Sequence, residues 1–430
     1  MTAPTVHFYF DFSCPYAYLA STAIQGVAAR TGADLVIKPF LLGGVFRARN
    51  VAQNLASTLS PEKAAHNLHD MQRGSAHFGV PLVMPAGHPQ STVTALRVLL
   101  AHHHDQAHGD AQSIAHGRDM LPLMHRLFRA YWVDSVDISK ERQLRDVLLA
   151  AGLDADALLA AAGEPRIKDE LRARTDEAIE VGVFGAPAMR VWGRDPSGDA
   201  MEEPALFWGQ DRLPHVERAL GGVPDEPGPN PDGPAVDVWF DFSSPFAYLG
   251  VSRAREFLGD RVRWRPMLLG ALFKQLGGPL VPLLSFNAAK QAWIASDLRW
   301  QAAEAGVPLR WPTGFPVRTV LALRVTLLVL NEDPDKAEAL IHRVFRAVWA
   351  DDEDPSSPAV IVRCCADVGL DGDALVLRAG ESGAKHALFE ATGAAAEAGV
   401  FGAPSFVVDP DGDSPALYWG NDRLGLAANC

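Results

Sequence analysis

The fold class predicted by the sequence is α/β, in two tandem copies of one domain. Three observations predict it. First, the front half of the chain returns in the back half. HFYFDFSCPYAYLA (7–20) returns as VWFDFSSPFAYLG (238–250), and KPFLLGGVF (38–46) as RPMLLGALF (265–273). RLFRAYWVD (126–134) returns as RVFRAVWAD (343–351), GVFGAPAM (182–189) as GVFGAPSF (399–406), and FWGQDRL (207–213) as YWGNDRL (418–424). The order is kept and the spacing shrinks only by small deletions, which is the mark of an internal repeat. Second, each copy opens on an alternating apolar strand (Val6 to Phe12; Val236 to Phe242). Third, long middle regions, about 45–180 and 272–397, carry apolar residues at helical 3–4 spacing.

The elements follow in the same order in both copies. After the opening strand comes a Cys-Pro or Ser-Pro step, then a helix (Tyr16 to Arg30; Phe246 to Phe257). A second strand leads into a Leu-Leu-Gly segment (Leu35 to Leu42; Val262 to Leu269). The helical region follows. Each copy closes on Phe-Gly-Ala-Pro and two short strands joined by a Gly/Asp turn (Met189 to Trp208; Ser405 to Trp419). Strand, helix, strand, a large inserted helical subdomain and a hairpin make a thioredoxin-like plan. The expected domains are 5–218 and 236–426, with residues 219–235 as linker. Five prolines and four glycines between Gly221 and Asp237, without apolar periodicity, mark that linker.

Composition narrows the function. The formal charge is −13 and the pI about 5.5, with no basic run to offset it, which argues against nucleic acid and anionic membranes as partners. The most apolar stretch, Val317 to Leu330, is interrupted by Arg318 and Arg324 and is too short to span a bilayer. Four cysteines (Cys14, Cys364, Cys365, Cys430) cannot form a disulfide framework. Cys364 and Cys365 read as buried, inert thiols. The amino-terminal residues lack the basic-then-apolar pattern of a signal peptide. A cytoplasmic location is expected.

The repeated motifs point to sulfur chemistry. A small polar residue before proline, between strand and helix, is ordinarily only a helix cap. Here it recurs, as Cys14-Pro15 and Ser244-Pro245. Cysteine is a poor cap, whereas the exposed amides of a helix start stabilise a thiolate. The reading is a position built for an anionic sulfur, its own or a ligand's, with the Cys14 pKa expected below that of a free thiol. Gly185-Ala186-Pro187 and Gly402-Ala403-Pro404 read either as strand-entry prolines or, more sharply, as cis-prolines presenting the preceding backbone to an extended peptide. His102, His103, His104 and His108 could suggest a metal, but a solvated loop at a helix end is the stronger reading. Lys63, His66 and His69 share one helix face, either a wall toward substrate or a solvated face.

The motifs D-F-x-[SC]-P-[YF]-x-Y-L, G-V-F-G-A-P and [FY]-W-G-x-D-R-L together resemble the DsbA-like thioredoxin superfamily, and within it 2-hydroxychromene-2-carboxylate isomerases and kappa-class glutathione transferases. The resemblance covers both copies. It implies glutathione as cofactor, with Ser244, and Cys14 in the first copy, at the glutathione sulfur. It places Ala186 with Pro187, and Ala403 with Pro404, along the tripeptide backbone. Gln210 with Asp211, and Asn421 with Asp422, fall at its γ-glutamyl end. A family Asn is kept as Asn50, whereas Gly277 stands at the aligned place. The implied activity is a glutathione-dependent cis–trans isomerisation of an aromatic unsaturated carboxylate. A kappa-type transferase or peroxidase, a thiol-disulfide oxidoreductase using Cys14, and a non-enzymatic binding role are the alternatives. Relatives with one such domain dimerise, so the two copies are expected to form an intrachain pseudo-dimer. Ser244, with the Lys290…Trp293…Trp300 helix and Phe315-Pro316, marks the second copy as the main catalytic site.

Overall fold

A computed structural model of the chain describes residues 3–105 and 115–430. It contains two four-stranded mixed sheets with the same order. In the first, β1 (Thr5–Phe10), β2 (Asp34–Pro39), β3 (Ala188–Trp192) and β4 (Ala205–Trp208) lie in the order β2-β1-β3-β4. In the second, β5 (Val236–Phe240), β6 (Val262–Pro266), β7 (Ser405–Val408) and β8 (Ala416–Trp419) lie in the order β6-β5-β7-β8. β1 pairs parallel with β2, Thr5 opposite Asp34 through Phe10 opposite Pro39, and β5 pairs parallel with β6. A parallel pair needs a crossover, and the helices Pro15–Thr31 and Pro245–Leu258 supply it. β3 and β7 run antiparallel to the strands on either side of them.

The apolar strands β1 and β5 sit inside their sheets, with Phe8, Phe10 and Phe240 wholly buried. The helical insertions are tied to the sheets by two matching tryptophans. Trp132 and Trp349 are wholly buried. Their indole N–H groups donate to the carbonyls of Phe12 and Phe242, each at 2.8 Å. Those carbonyls immediately precede the Ser-Cys-Pro and Ser-Ser-Pro steps, so the insertion helices fix the backbone from which each candidate site residue projects. Among the described residues no helix is long and apolar enough to cross a membrane.

The chain divides into two compact units. The first comprises residues up to Leu59, 67–225 and 287–293; the second comprises 60–66, 226–286 and 294–430. Each unit holds one sheet, and each includes a short segment whose sequence belongs to the other copy.

Candidate functional site

The site in each unit is built around a buried carboxylate that the sequence reading did not single out. Asp11 accepts hydrogen bonds at Oδ1 from the Ser13 N–H (2.9 Å), the Ser13 hydroxyl (3.0 Å) and the Thr92 hydroxyl (2.7 Å), and at Oδ2 from the Leu42 N–H (2.8 Å). Asp241 makes the matching bonds with the Ser243 N–H (3.0 Å), the Thr319 hydroxyl (2.7 Å) and the Leu269 N–H (2.8 Å). Burial pushes both carboxyls above the usual range, against the pull of these donors. Each carboxylate thus locks the strand–helix turn to the start of the Leu-Leu-Gly helix. The signal that could have found it is the aspartate that recurs in Asp-Phe before each Ser-x-Pro.

At the helix start the two copies share a backbone and differ by one atom. Cys14 has φ −101° and ψ 116°, and Ser244 has φ −97° and ψ 118°. The Ser244 hydroxyl accepts from the Ala247 N–H at 3.1 Å and donates to the Ala403 carbonyl at 2.9 Å. The Cys14 thiol lies 2.9 Å from the Ala186 carbonyl, but makes no side-chain cap. Both Ala186–Pro187 and Ala403–Pro404 are cis, which puts the residue before each proline against the Cys14 or Ser244 side chain. The expectation of a low Cys14 pKa is corrected by the structure. Burial pushes the thiol up to about 12; the Ala17 and Tyr16 amides lower it too little to offset that, and Asp11 adds to the rise.

The closing tail packs beside the Phe-Gly-Ala-Pro turn in each unit, and the short exchanged segment packs on that tail. Gly185 and Gly402 of the Phe-Gly-Ala-Pro turns lie so close to Trp208 and Trp419 that a Cβ would collide with either indole. In the second unit the Lys63 ammonium sits 4.8 Å from the Trp419 ring centre, and buried His66 packs edge-on against Phe401 (5.2 Å) and Trp419 (6.3 Å). In the first unit Lys290 lies 5.2 Å from the Trp208 ring centre, and Trp293 packs on Phe184 (5.6 Å) and Trp208 (5.3 Å) and donates to the Leu206 carbonyl (3.1 Å). This corrects the assignment of Lys290 and Trp293 to the Ser244 site. They pack on the closing tail of the unit that holds Cys14, and Lys63 and His66 pack on that of the unit that holds Ser244. His69 is exposed. Burial lowers the Lys63 pKa.

The tail residues differ in support. Asn421 donates to the Gln301 carbonyl oxygen at 2.6 Å, and the Gln301 amide donates to Asp297 at 2.6 Å. The place aligned with Gln301 in the first copy is Gly74, so Gln210 has no such partner from that position. Asp211 and Asp422 each lie 3.3 Å from the guanidinium of the next residue, Arg212 or Arg423.

Asn50 is not gathered with these groups. It is exposed, and it closes the helix Leu42–Ala48 at φ 54°. Gly277 closes the helix Leu269–Gln275 at φ 73°. The residue after each donates back across the helix end, Val51 N to Phe46 O and Gly278 N to Phe273 O, both 2.8 Å. Asparagine and glycine are the residues that tolerate this left-handed closing position, so backbone conformation alone accounts for the exchange of one for the other.

The histidine run is also corrected. His102, His103 and His104 occupy the last turn of the helix Val93–Asp105 rather than a solvated loop. His102 is buried, His103 pairs with Asp119 (2.8 Å) and His104 with Glu170 (2.5 Å). His108 lies outside the described residues. Among the described residues no cluster could hold a metal ion. Cys364 and Cys365 are buried and free, as read. Burial raises the pKa of both, Cys365 to about 11.

Comparison with known proteins agrees with this architecture. The family model described as a DSBA-like thioredoxin domain matches residues 5–221 and again 235–429. A protein named 2-hydroxychromene-2-carboxylate isomerase from Sphingobium xenophagum is 30% identical over 218 residues, covering 50% of this chain and 97% of that protein. A glutathione S-transferase kappa 1 from Homo sapiens is 27% identical over 205 residues, covering 45% of this chain and 89% of that protein. A solved structure of a 2-hydroxychromene-2-carboxylate isomerase aligns with a TM-score of 0.38 at 23% identity, over 50% of this chain and 94% of that one.

Proposed function

The chain belongs to the DSBA-like thioredoxin domain family, and on that premise we propose that it is a glutathione-dependent cis–trans isomerase of an aromatic unsaturated carboxylate, with Ser244 at its principal site. The observation that carries this reading is the pairing in the second unit of a capping serine hydroxyl with the carbonyl before a cis-proline, in a site that holds no cysteine. The relatives named as isomerases and as kappa glutathione transferases support a glutathione-related enzyme.

The residues present fit glutathione. Glutathione, when bound, would supply a thiolate able to add reversibly to an activated double bond, so that rotation occurs about a single bond. The chain's part is to hold that sulfur as an anion. Ser244 can turn its O–H from the Ala403 carbonyl to the sulfur while the helix-start amides face the same charge. The turn frees the Ala403 carbonyl to accept a backbone N–H of the tripeptide. Asn421 and Asp422 would hold the γ-glutamyl end. Lys63, desolvated beside Trp419, would attract a carboxylate. In the first unit Cys14, Ala186, Pro187, Gln210 and Asp211 repeat the arrangement with a thiol in place of the hydroxyl. The two copies would stand in for the two protomers of single-domain relatives, so that the active chain is a monomer carrying both sites.

A thiol-disulfide exchange centre is disfavoured. Cys14-Pro15-Tyr16-Ala17 offers no resolving thiol, and the Cys14 thiol is held protonated by burial. A kappa-type transferase is the second reading, favoured by the kappa relatives. The test is one purified chain and two assays. Conversion of 2-hydroxychromene-2-carboxylate to its trans isomer should require glutathione and leave its concentration unchanged. Net loss of glutathione onto 1-chloro-2,4-dinitrobenzene, without isomerisation, would replace this reading by the transferase.

A further inference from the structure

Apart from the Cys14 site, the first unit contains a cavity of about 500 Å³. It lies among the helices Leu42–Ala48, Val93–Asp105 and Pro165–Glu180, and its lining includes neither Cys14, Pro187 nor Trp208. Its volume falls within the range typical of small-molecule sites. Four cations line it, Arg47, Arg97, Lys168 and Arg172, against one carboxylate, Asp176. Arg172 is paired with Asp169 at 2.9 Å. Among the described residues Arg47, Arg97 and Lys168 have no ion-pair partner, and Arg97 Nε is buried without a hydrogen-bond acceptor. Leu41, Val93, Leu171 and Ile179 supply apolar wall between the charges.

Such a concentration of positive charge is unexpected in a chain with a formal charge of −13. Neighbouring like charges repel, and a buried guanidinium nitrogen without an acceptor is costly. Both costs fall if an anion enters. The second copy keeps a cation at three aligned places, Lys274, Arg324 and Lys385. There too Arg324 Nε is buried without an acceptor. Arg172, however, is replaced by Phe389, which is 77% exposed, and Asp176 by Gly393.

We propose that this cavity of the first unit is a binding site for an aromatic carboxylate, separate from the candidate glutathione site, with Arg97 taking the carboxylate and the aliphatic residues the ring. An Arg–carboxylate pair is geometrically specific and strong when desolvated, and the apolar wall selects an aryl anion over inorganic phosphate. The probe is 1-naphthoate, titrated calorimetrically into the full chain saturated with glutathione. Arg97→Ala and, independently, Arg47→Ala on the exposed helix surface should each weaken 1-naphthoate binding about tenfold or more. The chain's candidate active site also takes an aromatic carboxylate, so Lys63→Ala and Lys290→Ala are used to remove that contribution; the Arg97-dependent component should remain in their presence. The neutral analogue 1-naphthalenemethanol and inorganic phosphate should both bind far more weakly, and raising sodium chloride should weaken 1-naphthoate. In the Lys63→Ala, Lys290→Ala background, binding of 1-naphthoate that is absent, or that survives both arginine substitutions, overturns the proposal, as does equal binding of the neutral analogue.

Discussion

The Cys14 unit and the Ser244 unit have the same sheet order, the same carboxylate staple and the same cis-proline, yet they treat their helix starts differently. Oxygen at that position serves twice, accepting from Ala247 and donating to Ala403. Sulfur serves once, facing Ala186 without capping. A thiol is larger and a weaker acceptor, so on the same backbone and under similar burial Cys14 makes no cap, and burial keeps it protonated. The lesson is that a helix start lowers a thiol's pKa only where water or a ligand can reach it; under full burial, desolvation is the larger effect.

The comparison can be broken first at what the units share. Asp11→Ala and Asp241→Ala each strip the acceptor from three or more donors, two of them buried. Each should cost roughly 3 kcal/mol or more in its own unit, measured by urea unfolding. A large effect in one unit and none in the other would show that the staples are not equivalent. Next comes the difference itself. Ser244→Ala should lower glutathione-dependent turnover about tenfold or more, on the scale of a hydrogen bond to a charged group, and Cys14→Ala should cost less. Equal or reversed losses would move the principal site to the first unit.

The exchanged segments sharpen the comparison at a smaller scale. Lys63→Ala should couple to Ser244→Ala by about 0.5 kcal/mol or more in a double-mutant cycle on turnover, while Lys290→Ala with Ser244→Ala should be additive. The opposite pattern would return each lysine to its own copy. Smallest is the cap. Cys14→Ser should stabilise the first unit by about 1 kcal/mol, since Ser can accept from the Ala17 N–H as Ser244 accepts from Ala247. In the unsubstituted chain, iodoacetamide labelling of Cys14 should keep climbing about tenfold per pH unit beyond pH 10, because a pKa raised by burial delays the thiolate. A plateau near pH 9 would mean that the thiol is not buried in solution.

The sequence by itself determined the tandem repeat, the strand–helix–strand–insertion–hairpin plan and the positions of both helix starts and both Gly-Ala-Pro turns. Those features rest on local patterns: a strand period of two, helix spacing, proline's fixed backbone and a motif written twice. What only the tertiary structure decided depends on residues far apart in the chain. The pKa of Cys14 is set by how much of the fold covers it, which no neighbouring residue reveals. The carboxylate of Asp11 acquires meaning only when Leu42 and Thr92 arrive beside it. Asn50 and Gly277 turned out to share a left-handed backbone, which a residue-type comparison reads as gain and loss of a ligand contact. Above all, the sequence placed Lys290 with Ser244, the site written in its own half. Packing assigned Lys63 to Trp419 and Lys290 to Trp208, because a cation and an apolar helix face settle where an aromatic wall is open to receive them, whichever half of the chain supplies it.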